Sequence, residues 1–166
     1  MRLWWPAPEQ HRFRLLAVEA ARRAEELPRR WEEQGRPFEQ ELLAAAVDWA
    51  RQLGADQGEP VVLHQDFHGG DVLLSARGWL AIDPKPLVGE RAFDVASLLR
   101  DRRDDLDRAL DAAARVRRRL DRLSAELGLD RERMRAWGVV HAVAWGVSEW
   151  CLHPEHVTCA RWLLQA

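Results

Sequence analysis

Residues Val61 to Asp83 read VVLHQDFHGGDVLLSARGWLAID. Three aspartates stand out in this stretch: Asp66, Asp71 five residues on, and Asp83 after the apolar run Gly78-Trp79-Leu80-Ala81-Ile82. His64 precedes the first by two residues. The spacing suits phosphoryl transfer, which needs one carboxylate to accept a hydroxyl proton and two oxygen ligands for a magnesium ion beside it. A loop followed by a β-hairpin brings three such groups to one point. The hairpin is legible as Val72-Leu73-Leu74 and Trp79-Leu80-Ala81-Ile82 around Ser75 to Gly78. Val61-Val62-Leu63 reads as a short buried run leading into the loop.

Beyond this stretch the sequence continues Asp83-Pro84-Lys85-Pro86-Leu87-Val88-Gly89-Glu90 and then Phe93-Asp94-Val95. Together with His64-Gln65-Asp66-Phe67-His68-Gly69-Gly70-Asp71, these segments resemble the aminoglycoside phosphotransferase family, in its streptomycin and hydroxyurea phosphotransferase branch. Asp-Pro-Lys-Pro after the hairpin is the more specific block, since H-x-D alone is common by chance. The resemblance runs from about Leu3 through the Trp-rich C-terminus. It implies the C-terminal, large lobe of a protein-kinase-like fold: mostly α (α+β), helical, with a small β-hairpin carrying the catalytic loop. It also implies ATP as co-substrate, Mg2+ as cofactor, an alcohol-group acceptor of aminoglycoside type, and antibiotic resistance as the outcome.

Two departures accompany the resemblance. The family has Asn where this chain has Asp71, and the chain contains no Asn at all. Aspartate keeps an oxygen ligand but adds negative charge and loses an amide donor. Family members also carry a β-rich nucleotide-binding lobe with a phosphate-covering loop and a strand lysine. This sequence has one lysine, Lys85, on the far side of the site, and no G-x-G-x-x-G. The expectation is therefore a single domain over residues 1–166 with the N-terminal lobe absent, impaired as a kinase by itself. A missing-lobe partner or self-association would follow.

Composition sets the outer limits. The 166 residues suffice for one domain with a sizeable core, and the net charge of −2 gives no pull toward nucleic acid or membrane. No apolar run could span a bilayer and no signal-peptide core opens the chain, so a cytoplasmic location is expected. Cys151 and Cys159 are too few for a disulfide framework and read as reduced core thiols. Arg115, Arg117, Arg118 and Arg119 read as a solvated helix face.

Periodicity and breakers predict helices over Phe13–Glu33, with Pro28 kinking or breaking it, and over Phe38–Leu53. Further helices are expected over Ala92–Arg100, Asp104–Leu127, Arg131–Cys151 and Glu155–Leu164, with Gly128 as a stop and Pro154 in a first turn. Leu15, Leu16, Val18, Leu27 and Trp31 are candidate core positions of the first helix.

The candidate roles follow from position and resemblance. Asp66 is the base, and His64 joins it in the catalytic group, chiefly by supporting the loop. Asp71 and Asp83 are the metal ligands. His68 would contact phosphate or substrate, or else pack the loop; Lys85 would contact phosphate or a catalytic carboxylate, or else stand in solvent. Trp145, Glu149, Trp150 and Glu155 would build the acceptor pocket, with Trp137 nearby, where carboxylates suit a cationic acceptor and plain helical core is the bland alternative. Asp94 is structural support, anchoring the loop or capping its helix. His64, Asp66 and His68 could instead be read with His153 and His156 as hydrolase metal ligands, but that leaves Asp71 and Asp83 unexplained. The competing class is a non-catalytic remnant or a binding module for a small molecule or partner.

Overall fold

Leu16, Ala20, Ala24, Leu27 and Trp31 recur at helical spacing and are all buried. In a computed structural model of the chain, which describes residues 3–101, 106, 109–148 and 151–166, they form the inner stripe of helix α1, Leu16–Glu33. The core stripe lies one residue later than part of the sequence reading. Leu15 and Val18 are exposed, and Arg14–Leu15 form a short strand instead of a first helical turn. Pro28 does not end the helix, which runs on to Glu33 with buried Leu27 and Trp31 on either side of it. Helix α2, Gln40–Ala55, packs antiparallel along α1 through Leu42, Leu43, Ala46, Val47 and Ala50.

Among the described residues, six short strands divide into two sheets. Strands β1 (Trp5–Pro6), β2 (Arg14–Leu15), β3 (Val61–Leu63) and β6 (Leu87–Gly89) form one sheet in the order β1-β3-β6-β2. Trp5 faces Val62 and Val62 faces Val88 in antiparallel pairs, while Arg14 runs parallel beside Leu87. The second sheet is the expected hairpin, β4 (Val72–Ser75) and β5 (Gly78–Ala81). Ser75 Oγ closes its two-residue turn by donating to the Gly78 carbonyl at 3.0 Å, and Gly78 has φ +90°.

The remaining helices are α3 (Arg91–Arg100), α4 (Ala112–Leu127), α5 (Arg131–Gly146) and α6 (Pro154–Leu164). Helix α5 is buried on nearly every side, from Ala136 to Val143, and packs against α2, α3 and α6. Two expected boundaries move. Helix α4 begins at Ala112 because the Asp111 carboxylate caps it, accepting from Ala114 N–H at 2.9 Å; residues 104, 105, 107 and 108 of the expected span lie outside the described residues. Helix α5 stops at Gly146 and does not reach Cys151, since Val147 and Leu152 pair as an antiparallel bridge. Gly128 is the left-handed stop of α4, as its position suggested, and Pro154 opens α6. Among the described residues, no helix is long and apolar enough to cross a membrane.

Candidate active site

Strand β3 sits inside the sheet between β1 and β6, so the chain leaves it at a fixed point and in a fixed direction. The next residues turn sharply, with Gln65 in the left-handed region at φ +72°. A non-glycine residue there is strained by roughly 1–3 kcal/mol and persists only where its surroundings hold it. Here Asp94 on α3 does so. Its Oδ2 accepts from His64 N–H at 2.9 Å and its Oδ1 from Gln65 N–H at 2.7 Å. The Trp4 indole N–H also donates to Oδ2, at 2.9 Å. The Gln65 carbonyl is fixed as well, by the Ser97 hydroxyl at 3.2 Å. Asp94 is 1% exposed, and burial pushes its carboxyl up, against the three donors that favour the charged form. Both of its oxygens are thus tied to the loop backbone at His64 and Gln65.

The strained turn delivers Asp66. Its Oδ2 accepts from Lys85 Nζ at 2.9 Å and its Oδ1 from an Arg100 Nη at 2.7 Å. Burial would raise this carboxyl, but the Lys85 hydrogen bond and the Arg100 and Lys85 charges outweigh it and hold it below the usual carboxylate range. Lys85 therefore pairs with the Asp66 carboxylate. The hydrogen bond to Asp66 raises its own pKa, and the charges of Asp66, Asp83 and Asp71 act in the same direction.

His64 is a brace. Its Nε2 lies 2.8 Å from the Ile82 carbonyl, which can only accept, so Nε2 carries the proton. With Lys85 N–H donating to the His64 carbonyl at 3.0 Å, this ties the base loop to the segment carrying Asp83 and Lys85. Asp83 itself is exposed and left-handed, at φ +54°. His68 caps the 3₁₀ turn Gly69–Asp71: its Nδ1 accepts from Gly70 N–H at 3.2 Å, which leaves Nε2–H to face Asp71 Oδ2 at 3.4 Å. Asp71 in turn meets the hairpin, its carbonyl accepting from Ile82 N–H at 2.9 Å.

Among the described residues, no three His, Cys, Asp or Glu side chains close around one point as a metal cage. The donor set nonetheless fits magnesium. That ion takes one or two carboxylates and completes its octahedron with water and phosphate oxygens. Asp71 and Asp83, flanking the two strands of one hairpin, could supply such carboxylates.

The proposed acceptor residues divide. Trp145 lies beside the site, its ring 5.1 Å under the Arg100 guanidinium. Glu155, in the first turn of α6, faces His153 Nδ1 at 3.5 Å. Glu149 and Trp150 lie outside the described residues. Trp137 is fully buried core, with its indole N–H donating to the buried Glu90 carboxylate, which also takes Arg133. The sequence reading missed the next layer of residues. Arg100 holds Asp66, and its Nε–H donates to His141 Nδ1 at 3.3 Å. His141 Nε2 takes the Trp145 indole N–H at 3.2 Å and lies 3.3 Å from the Gln65 carbonyl. Arg119, expected on a solvated face, donates to the Leu98, Leu99 and Asp101 carbonyls and closes the C-terminus of α3. Arg100 at the end of a helix and a histidine in an apolar run carried no pattern that would have marked them.

Comparison with known proteins converges on one group. A family profile described as aminoglycoside/hydroxyurea antibiotic resistance kinase matches residues 1–150. The chain is 38% identical over 164 residues to a streptomycin 6-kinase of Streptomyces glaucescens, covering 94% of this chain and 52% of that protein. It is 38% identical over 115 residues to a hydroxyurea phosphotransferase of Kitasatospora aureofaciens, covering 67% of this chain and 31% of the relative. A streptomycin 3''-kinase of Klebsiella pneumoniae is 39% identical over 110 residues, or 64% of this chain and 40% of the relative. The chain thus spans about half the length of the first of these relatives and less of the others. No solved structure matches it.

Proposed function

Because the chain belongs to the aminoglycoside/hydroxyurea antibiotic resistance kinase family, we propose that residues 64–94 form the base-and-metal half of an ATP-dependent phosphotransferase acting on a hydroxyl of a small molecule. The observation that carries this reading is the placement of Asp66. It leaves a strained turn gripped by Asp94 and meets Lys85 at 2.9 Å, with Asp71 and Asp83 on either side of the hairpin that follows. In this reading the helical domain is the large lobe of a kinase-like fold.

Asp66, ionised at neutral pH, accepts the proton of the acceptor hydroxyl. Lys85 and Arg100 orient it from either side, and each carboxylate oxygen retains a second lone pair for the incoming hydroxyl. Asp71 and Asp83 would hold the magnesium that neutralises charge on the transferring phosphoryl group. Of the elements that bind nucleotide in the family, these 166 residues contain neither a glycine-rich phosphate loop nor a lysine besides Lys85. The chain by itself is therefore a poor catalyst, slower by several orders of magnitude, since phosphoryl transfer rests on positioning and electrostatics.

The second reading, a non-catalytic binding module, is favoured by one feature: both oxygens of Asp66 are already held by cations. A sensitive ATP-turnover assay with streptomycin and hydroxyurea as acceptors, run beside Asp66→Asn and Asp83→Ala, separates the two. Weak, acceptor-dependent turnover that both substitutions abolish supports the phosphotransferase. Turnover untouched by either substitution removes Asp66 and Asp83 from the mechanism, and fast turnover by the wild-type chain overturns the claim that it is a poor catalyst alone.

A further inference from the structure

The ring of His141 carries more hydrogen-bonding groups than one imidazole can serve. It is fully buried on α5, against the Phe93 ring at 5.5 Å. Three groups converge on its two nitrogens. The Arg100 Nε–H points at Nδ1 from 3.3 Å. The Trp145 indole N–H, one turn further along α5, points at Nε2 from 3.2 Å, and the Gln65 carbonyl lies 3.3 Å from that same nitrogen. Burial and the Arg100 and Arg23 charges keep the ring neutral. A neutral imidazole has one N–H and one lone pair, so it cannot accept from donors at both nitrogens. All three separations lie at or beyond the long end of the ordinary range.

Each tautomer leaves a different group unmatched. With the proton on Nε2, Nδ1 accepts from Arg100, and Nε2–H donates to the Gln65 carbonyl, which the Ser97 hydroxyl also reaches at 3.2 Å. The Trp145 N–H is then left over. With the proton on Nδ1, Nε2 accepts from Trp145, but the Arg100 Nε–H faces another N–H and the Gln65 carbonyl loses the ring as a donor. The two arrangements differ at Asp66. The guanidinium whose Nε meets His141 places an Nη 2.7 Å from Asp66 Oδ1. Gln65 is the left-handed residue directly before Asp66. The Nε2–H form therefore holds both the arginine that grips Asp66 and the turn that delivers it, and the Nδ1–H form releases both.

We infer that His141 is a positioning residue for Asp66: a two-tautomer relay in which drawing the Trp145 N–H away from Nε2 tightens the hold of Arg100 and Gln65 on the carboxylate. That this carboxylate is the base rests on the phosphotransferase reading; the relay itself does not.

The chain labelled with 15N-histidine and 13C-aspartate reports both ends by NMR, without ATP or metal. His141 is assigned by the signal lost in His141→Gln, and Asp66 by the one lost in Asp66→Asn. In the wild type, two-bond nitrogen–proton couplings of the ring should show an average of the two tautomers. Trp145→Phe, which keeps an aromatic ring beside Arg100, should shift the ratio toward Nε2–H about fivefold, equivalent to about 1 kcal/mol. Arg100→Lys, which removes the Nε–H donor, should shift it toward Nδ1–H. The Asp66 carboxyl signal should move in Trp145→Phe and in His141→Leu. It should stay near its wild-type position in His141→Gln, whose amide can accept from Arg100 and donate to Gln65. A tautomer ratio identical in the wild type, Trp145→Phe and Arg100→Lys overturns the relay. An Asp66 signal indifferent to Trp145→Phe overturns the positioning role, and this variant decides both points even where His141→Leu does not fold. ATP turnover in Asp66→Asn tests the phosphotransferase reading separately. A static ring beside an essential Asp66 and a relay beside a dispensable one are thus distinguishable results.

Discussion

At the scale of single residues, the site depends on one buried carboxylate more than on any residue that would touch substrate. Asp94 satisfies three N–H donors, two of them backbone. Asp94→Ala strands all three, and losing hydrogen bonds to a buried charged group should cost about 3–5 kcal/mol. Urea denaturation should show the midpoint falling accordingly, and a loss under 1 kcal/mol would mean that the turn is held elsewhere. His141 gives a pH signature. It is fully buried, and burial, reinforced by the Arg100 and Arg23 charges, holds its pKa well below the usual value. Gln65 O, Phe93 and Trp145 complete its surroundings. The unfolded chain titrates this imidazole near pH 6.5 and the folded one only far lower, so the unfolded state binds more protons between the two values. Stability from this group is complete above about pH 6.5 and falls below it by up to about 1.4 kcal/mol per pH unit. Thermal melts at pH 7.5 and 5.5 should show the loss, and His141→Gln should flatten it. The sequence singled out Asp66, Asp71 and Asp83 as candidates because the metal and base chemistry proposed for them would impose a spacing along the chain. It did not disclose Arg100, His141 or Gln65, whose roles arise from packing between residues up to 76 positions apart.

At the scale of elements, the hairpin and the helices were legible because their periods differ and their turns carry glycine and proline. The four-stranded sheet was not. Its strands are two or three residues long, too short for alternation to register. They are held by partners far away in the sequence, as when Leu15 pairs with Val88. Nor did the sequence announce how closely β6 meets α1. A Cβ at Gly89 would overlap the Leu16 Cβ, and both residues are buried. Gly89→Ala should therefore destabilise the fold by about 1–3 kcal/mol through overpacking, despite the better intrinsic propensity of alanine. A melting temperature equal to wild type would show that β6 can retreat from α1.

At the scale of the whole molecule, the apolar surface is concentrated around the hairpin and the first strands. Trp5 is 56% exposed, Leu74 69% and Trp79 56%, with Phe13, Leu73 and Ile82 also open. A cleft of about 600 Å3 lined by Trp5, Phe13, Trp79, Pro84 and Pro86 joins several of them. Surfaces of this kind drive association. Sedimentation velocity should show the 166-residue chain forming concentration-dependent oligomers, and Leu74→Glu with Trp79→Glu should return it to monomer; a wild-type monomer at high concentration would contradict this. The sheet order has a consequence in time. Strand β2 cannot pair until β6 exists, and Arg14 must wait for Leu87. At about 5–20 residues per second of synthesis, that is roughly 4–15 s during which the nascent chain holds Trp4, Trp5 and Phe13 without their sheet. The loop bearing Asp66 lies between β3 and β6, so it closes only once β6 has been made. Yield in the cell should then depend on chaperone supply and translation speed more than on the final stability of the domain.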